Sequence, residues 1–167
     1  MLIIRRLKTK LAACLASALL VFVASCDFHL GPPPAPATLA VCPSDQDQNT
    51  SGLIGVLGGT VSLGGTSVVL PLGALLTNTS IELDIPASQY MEIGVTANGG
   101  HFYFEQPITI TLDYSRCSPD IQAKTLSVWN IDPDTHRLIQ NMGGVDNKLT
   151  HQFSFTTLHL SGYALAF

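Results

Sequence analysis

From about residue 52 to 167, apolar and polar positions alternate in short runs. Ile81, Leu83 and Ile85 interleave with Glu82 and Asp84. Ile108, Ile110, Leu112 and Tyr114 interleave with Thr109, Thr111 and Asp113. A period of two puts each set on its own face of a strand, so these runs predict sheets with one buried and one wet face. Further strands are expected at 54–56, 60–63, 67–70, 91–96, 126–131, 137–140, 148–156 and 163–167. An aromatic strand at 102–105 is expected to stop where it meets Pro107, because proline brings no N–H to a ladder. Asp132-Pro133-Asp134-Thr135 is a turn sequence with proline in second place. Asn98-Gly99-Gly100 and Met142-Gly143-Gly144 are further turns. No window carries a long helical period. Many short strands at close spacing predict an all-β chain, an antiparallel β-sandwich, with a small barrel as the structural rival.

Residues 58–75, GGTVSLGGTSVVLPLGAL, give this domain its first strands. The pairs Gly58-Gly59 and Gly64-Gly65 take backbone angles that other residues resist, so they mark turns or bulges. Pro71 should close the strand at 67–70.

The N-terminal pattern is different. Arg5, Arg6, Lys8 and Lys10 precede an apolar run over 11–24. That run is shorter than the roughly 20 residues of a comfortable membrane span. A basic head and a short apolar body read as an export signal. The run ends Val23-Ala24-Ser25-Cys26, which resembles the lipobox of bacterial lipoproteins. The resemblance implies removal of residues 1–25 and a diacylglyceryl thioether on Cys26. It places the protein in the bacterial cell envelope, with the membrane as its first partner. Residues 26–51 then read as a lipidated N-terminus and extended linker. Its Pro32-Pro33-Pro34-Ala35-Pro36 tract favours polyproline II.

Cleavage changes the charge. Four of the eight basic residues lie before Leu11, and all twelve acidic ones lie after it. From Cys26 onward four basic side chains face twelve acidic ones, a net −8. Nucleic acid is an unsuitable partner for that surface. With Cys14 removed and Cys26 lipidated, Cys42 and Cys117 remain in an oxidising compartment and are expected to pair.

The spelling of 58–75 followed by Thr79-Ser80-Ile81-Glu82-Leu83-Asp84-Ile85 resembles the start of a ZU5 domain. In that family a Gly-Gly turn leads a short strand, and a second strand ends in a proline-glycine-alanine-leucine corner. Gly58, Gly59, Val68, Leu70, Gly73, Ala74, Leu75, Ile81 and Leu83 carry the likeness. Leu72 stands where a second proline is common. Phe104-Glu105-Gln106-Pro107-Ile108-Thr109-Ile110 is similar to a later strand of the family. The resemblance implies a β-sandwich interaction module over 52–167.

It also implies one reaction. Some members cleave themselves at His-Phe-Ser, and His159-Leu160-Ser161 occupies the comparable place. Ser161 Oγ would attack the Leu160 carbonyl with His159 as base, and water would hydrolyse the ester. Leu160 departs from the family's phenylalanine, and Gly162 relieves the strain such a step uses. The plainer reading puts His159 and Ser161 on a strand or its turn.

Other chemistry is sparse. The histidines form no HExxH or close pair, so no metal site and no cofactor are expected. Asp45, Asp47 and Asn49 alternate as calcium ligands do, but the loop lacks the glycine and glutamate of an EF-hand. Asp84, Glu105 and Asp113 are wet-face carboxylates rather than a glycosidase pair. Tyr103 and Trp129 are candidate glycan platforms, with Trp129 more readily a core or sheet-packing residue. The favoured function is a non-enzymatic envelope module binding a protein or a glycan. The alternatives are an autoproteolytic domain and a dedicated glycan-binding module.

Overall fold

A computed structural model describes residues 36–98 and 102–167. The expected signal peptide, Cys26 and most of the proline tract lie outside the described residues. The described chain forms strands β1 Val41–Ser44, β2 Gln48–Ile54, β3 Gly59–Leu63, β4 Thr66–Leu70, β5 Thr79–Ile85, β6 Ser88–Tyr90 and β7 Glu92–Ala97. After these come β8 Tyr103–Asp113, the helical turn α1 Pro119–Gln122, β9 Ser127–Ile131, β10 Leu138–Gly143, β11 Val145–Asn147, β12 Gln152–His159 and β13 Gly162–Ala166.

A six-stranded sheet runs β10-β9-β13-β7-β5-β2, and a five-stranded sheet runs β11-β12-β8-β4-β3. The short β1 and β6 pair with each other. Neighbouring strands in both large sheets are antiparallel. The fold is therefore an all-β sandwich of antiparallel sheets. Alternation explains the layering. Ile81, Leu83 and Ile85 point inward from β5, and Ile108, Ile110 and Leu112 point inward from β8; all join one core. Tyr114 continues that inward face and is fully buried, as its spacing predicts.

The stretch 58–75 does what its glycines suggest. Gly64 and Gly65 take φ of 54° and 84° in the β3–β4 turn. Gly58 takes φ of 76° against the backbone of Leu70 and Pro71. Pro71 follows β4 directly, and Gly73 turns the corner at φ 78°.

Two expectations need correction. The folded unit begins before residue 52: β1 and β2 lie in the stretch read as linker, and Ala40 and Cys42 are fully buried. β2 is an edge strand of small polar residues, Gln48-Asn49-Thr50-Ser51-Gly52, so its outward face resembles a tether. Its ladder to β5 runs unbroken from Gln48 to Ile54. Pro107 does not end a strand either. β8 passes through it where the β12 ladder shifts register between Thr157 and His159, so no N–H is missed there. At Gly143-Gly144, read as a turn, both glycines take positive φ, and the chain passes there from the edge of one sheet, β10, to the edge of the other, β11.

Cys42 and Cys117 are joined by a disulfide, with Cα atoms 4.6 Å apart. It ties β1 to the loop after β8. No helix among the described residues is long and apolar enough to cross a membrane.

Candidate ligand-binding cleft

A cleft of about 840 Å³ lies on the outer face of the six-stranded sheet. Its floor is one cross-strand row. Asp84 on β5 pairs with Gly94 on β7, Gly94 with Gly162 on β13, and Gly162 with Ile131 on β9. Side chains on this row point away from the core, yet the two central positions have none. Bare backbone is left between Asp84 and Ile131. A Cβ at Gly94 would lie 3.6 Å from the Asp84 side chain, and one at Gly162 would lie 3.3 Å from Ile131 Cγ1. The volume suits a small ligand or a few residues of a larger one.

The segment from Pro86 to Tyr90 supplies one wall. The β9–β10 turn, with Pro133 and His136, supplies another. That turn is well tied. Asp132 Oδ1 accepts the N–H groups of Asp134 and Thr135 at 3.1 and 3.0 Å. These bonds hold the exposed Asp132 carboxyl below the usual range. His136 closes the turn at φ 55°, donating its N–H to the Asp132 carbonyl at 2.8 Å. Its ring then reaches back: Nε2 is 3.2 Å from Glu92 Oε1, and the ring centre is 5.1 Å from that of Tyr90. Glu92 is buried, so the pairing answers a group that is costly to leave alone.

The disulfide loop supports the same wall. Arg116, next to Cys117, donates from Nε to the Cys42 carbonyl and from a terminal nitrogen to the Tyr90 carbonyl, both at 3.2 Å. Desolvation lowers the Arg116 pKa, and the nearby Glu92 charge partly opposes this. At the β5 end of the floor row, desolvation raises the Asp84 pKa, with Asp47 and Glu82 adding repulsion.

The lining thus offers two carboxylates, an imidazole, a phenol ring, prolines and the hydroxyls of Ser88, Thr96 and Ser161. It contains no lysine or arginine. Such a surface can accept and donate hydrogen bonds, and its charge disfavours anionic ligands. Among the described residues, no group of three or more His, Cys, Asp or Glu could hold a metal ion.

The residues singled out from sequence fall in several places. His159 ends β12, with Nδ1 3.2 Å from Thr157 Oγ1 and Nε2 3.5 Å from Asn130 Nδ2. Leu160 is buried. Ser161 lines the cleft, whereas His159 lines a shallow depression with Pro107 and Met142. Among the described residues, no hydrogen bond joins Ser161 to either His159 or His136. The backbone of 159–161 has no left-handed residue.

Tyr103 is 79 % exposed on β8, its ring 6.3 Å from that of His159. Trp129 is on the other sheet. Val128 and Asn130 face inward, so Trp129 is a half-exposed outer-face residue rather than a core one, donating to Ser127 Oγ at 3.0 Å. The two aromatics therefore do not form one platform. Asp84 and Asp113 are likewise on different sheets.

Sequence reasoning gave Gly94, His136 and Glu92 no role in a site, and read Gly162 only as relieving strain beside Ser161. The positive φ of His136 had a weak signal in the Asp-Pro-Asp-Thr turn before it; the glycine pair had none. No protein-family model matches this sequence, and no curated protein matches it.

Proposed function

We propose that this chain is an envelope lipoprotein, anchored through lipid on Cys26, whose sandwich is a non-enzymatic binding or scaffolding module. The cleft over Gly94 and Gly162 carries the reading. It combines a bare backbone floor with a polar, acidic and aromatic rim, and among the described residues no hydrogen bond there joins a nucleophile to a base. The ZU5-like residues support the same class, since they lie on β3, β4, the corner at 71–75 and β5, where they shape the fold rather than line the cleft. A glycan suits the rim well: carboxylates and hydroxyls pair with sugar hydroxyls, and Tyr90 and the prolines offer flat apolar faces.

Two measurements test this. Metabolic labelling with a radioactive fatty acid should mark the wild-type chain and leave Cys26→Ala unmarked; equal labelling removes the anchor at Cys26. Purified cell-wall glycan should sediment the protein, and Gly94→Val, which places a branched side chain on the floor, should stay in solution. Equal sedimentation of both proteins overturns the cleft as the glycan site.

A further inference from the structure

At one end of the sandwich two loops carry apolar side chains into solvent. The β2–β3 turn presents Val56 and Leu57, and the corner after β4 presents Leu72 and Leu76; the three leucines are 84 %, 68 % and 73 % exposed. The loops form one surface, because the Gly73 N–H donates to the Val56 carbonyl at 2.8 Å. Scattered exposed leucines are ordinary, but a cluster on bonded loops marks a contact surface.

Charge narrows what it contacts. No residue from 48 to 81 is Asp, Glu, Lys, Arg or His, although the chain from Cys26 onward carries a net −8. The two loops bring no ion of their own to a contact; exposed Glu105, whose N–H donates to the Ala74 carbonyl at 3.2 Å, is a charged neighbour and adds to the repulsion of an anionic surface. The tip offers nothing to an anionic surface, which the rest of the molecule repels. A neutral surface is its complement.

The backbone points the same way. The Gly58 N–H donates to the Gly55 carbonyl at 3.0 Å, and the Ala74 N–H to the Pro71 carbonyl at 3.1 Å. With the Gly73 bond, three N–H groups of these loops are paired within them, and Pro71 has none to satisfy. A medium without hydrogen-bonding groups penalises unpaired backbone, so each of these pairs lowers the cost of contact with lipid. The leucines line neither the cleft nor the depression beside His159. Side chains projecting from loops suit a deformable apolar medium better than a second rigid copy.

We propose that Leu57, Leu72 and Leu76 form a contact surface for an uncharged, zwitterionic lipid bilayer. This does not rest on the cleft. The surface lies far from where the described chain begins. Thr38 and Ala40 bond to Phe167 and Leu165, at the far end of the six-stranded sheet from Ile54. Along the strands the two ends are about 30 Å apart.

The test uses the full chain in phosphatidylcholine vesicles. Trp129 is the sole tryptophan. In a Trp129→Phe background, Leu57→Trp reports the tip and Leu149→Trp, at a residue 94 % exposed in the β11–β12 turn, serves as reference. The expected result is blue-shifted emission and quenching by brominated phosphatidylcholine for Leu57→Trp, with water-like, unquenched emission for Leu149→Trp. Quenching only from brominated host vesicles places the tip on the same bilayer; quenching only from added vesicles places it on an opposed one. Either supports the proposal. Water-like emission at position 57 with both kinds of vesicle overturns it. A blue shift without lipid that grows with protein concentration assigns the tip to a second copy and also overturns it.

Discussion

Gly94 and Gly162 are cross-strand partners on β7 and β13, and between Asp84 and Ile131 their row of the sheet carries no side chain on its outer face. The cleft is an absence made by register. Shifting either strand by one residue would turn Ile93 or Tyr163, both core residues, toward solvent. Burial of the inner face therefore fixes the bare patch on the outer one.

The two glycines should respond oppositely to alanine. At Gly94 the nearest atoms to an added Cβ are at 3.6 Å, an ordinary contact. Gly94→Ala should be neutral or stabilising by up to ~1 kcal/mol, because glycine costs a strand conformational entropy. At Gly162 the added Cβ meets Ile131 Cγ1 at 3.3 Å and its carbonyl oxygen at 3.4 Å. Gly162→Ala should destabilise by about 1 kcal/mol. Urea unfolding of both variants decides it, and equal effects would show that the row is looser than described.

Loss of the disulfide should be felt in stability and in the cleft. Cys42 and Cys117 are 75 residues apart in sequence. Closing a loop of that length stabilises by about 4 kcal/mol on the chain-entropy account. Cys42→Ala/Cys117→Ala should lower the urea midpoint accordingly. Arg116 should also lose its hold on the Tyr90 carbonyl, so hydrogen exchange at 86–90 should quicken in native conditions. Unchanged exchange there would detach the disulfide loop from the cleft wall.

The strands most legible in the sequence were those with one clean alternation and a fully apolar inner face. β5 and the second half of β8 are examples. β2 was not legible because an edge strand with Gly52 and small polar residues needs little apolar surface. β8 was divided at Pro107 because proline looks like a stop unless the partner's register shift is known. The Cys42–Cys117 pair could be reached by elimination. The cleft could not. Its floor depends on which residue of β7 meets which residue of β13, and Gly94 and Gly162 look like any strand glycines. The parity of Trp129 was open for a similar reason: Val128 and Ile131 are both buried, but on opposite faces.

The crossing between sheets should tolerate change unequally. Gly143 takes φ 66° with open space where a Cβ would go. Gly143→Ala should cost about 1 kcal/mol for the left-handed backbone alone. Gly144 takes φ 121°, and its Cβ would fall 2.5 Å from the Ser154 carbonyl oxygen. Gly144→Ala should cost about 3 kcal/mol or more, since backbone on both sides must move. Thermal unfolding of the two variants gives the comparison. A milder effect at Gly144 would contradict the close approach of β11 and β12.

Asp84 should make stability fall as pH rises. Desolvation, then Asp47 and Glu82, raise its pKa above the ordinary 3.8. A carboxyl raised on folding holds its proton more tightly in the folded state. That contribution is complete below 3.8 and is lost as pH climbs through the folded-state value. Asp84→Asn removes the dependence. The variant should match wild type in acid and exceed it modestly near neutrality, the gap opening from 3.8 upward. Chemical unfolding across pH 3 to 7 reads the difference directly. A gap that closes toward neutrality would reverse the assigned sign.

The chain should also remain in one piece at 159–161. An acyl shift there needs the Ser161 hydroxyl at the Leu160 carbonyl and a base within reach of that hydroxyl. His159 is the nearest base in sequence, but its ring is engaged by Thr157 and Asn130. Its carbonyl accepts the Tyr163 hydroxyl at 2.6 Å, on a phenol whose pKa burial pushes up to about 12. Leu160 is buried between the two sheets' last strands, and the Ser161 carbonyl accepts the Val95 N–H at 3.0 Å. Between them the Leu160 N–H donates to the Phe102 carbonyl at 3.2 Å, so all three consecutive residues are held, in an ordinary backbone conformation. Intact mass of the purified protein, incubated from pH 5 to 9, should show no break between Leu160 and Ser161, and Ser161→Ala should be indistinguishable. Two fragments that vanish in Ser161→Ala would make the domain autoproteolytic and displace the binding-only reading.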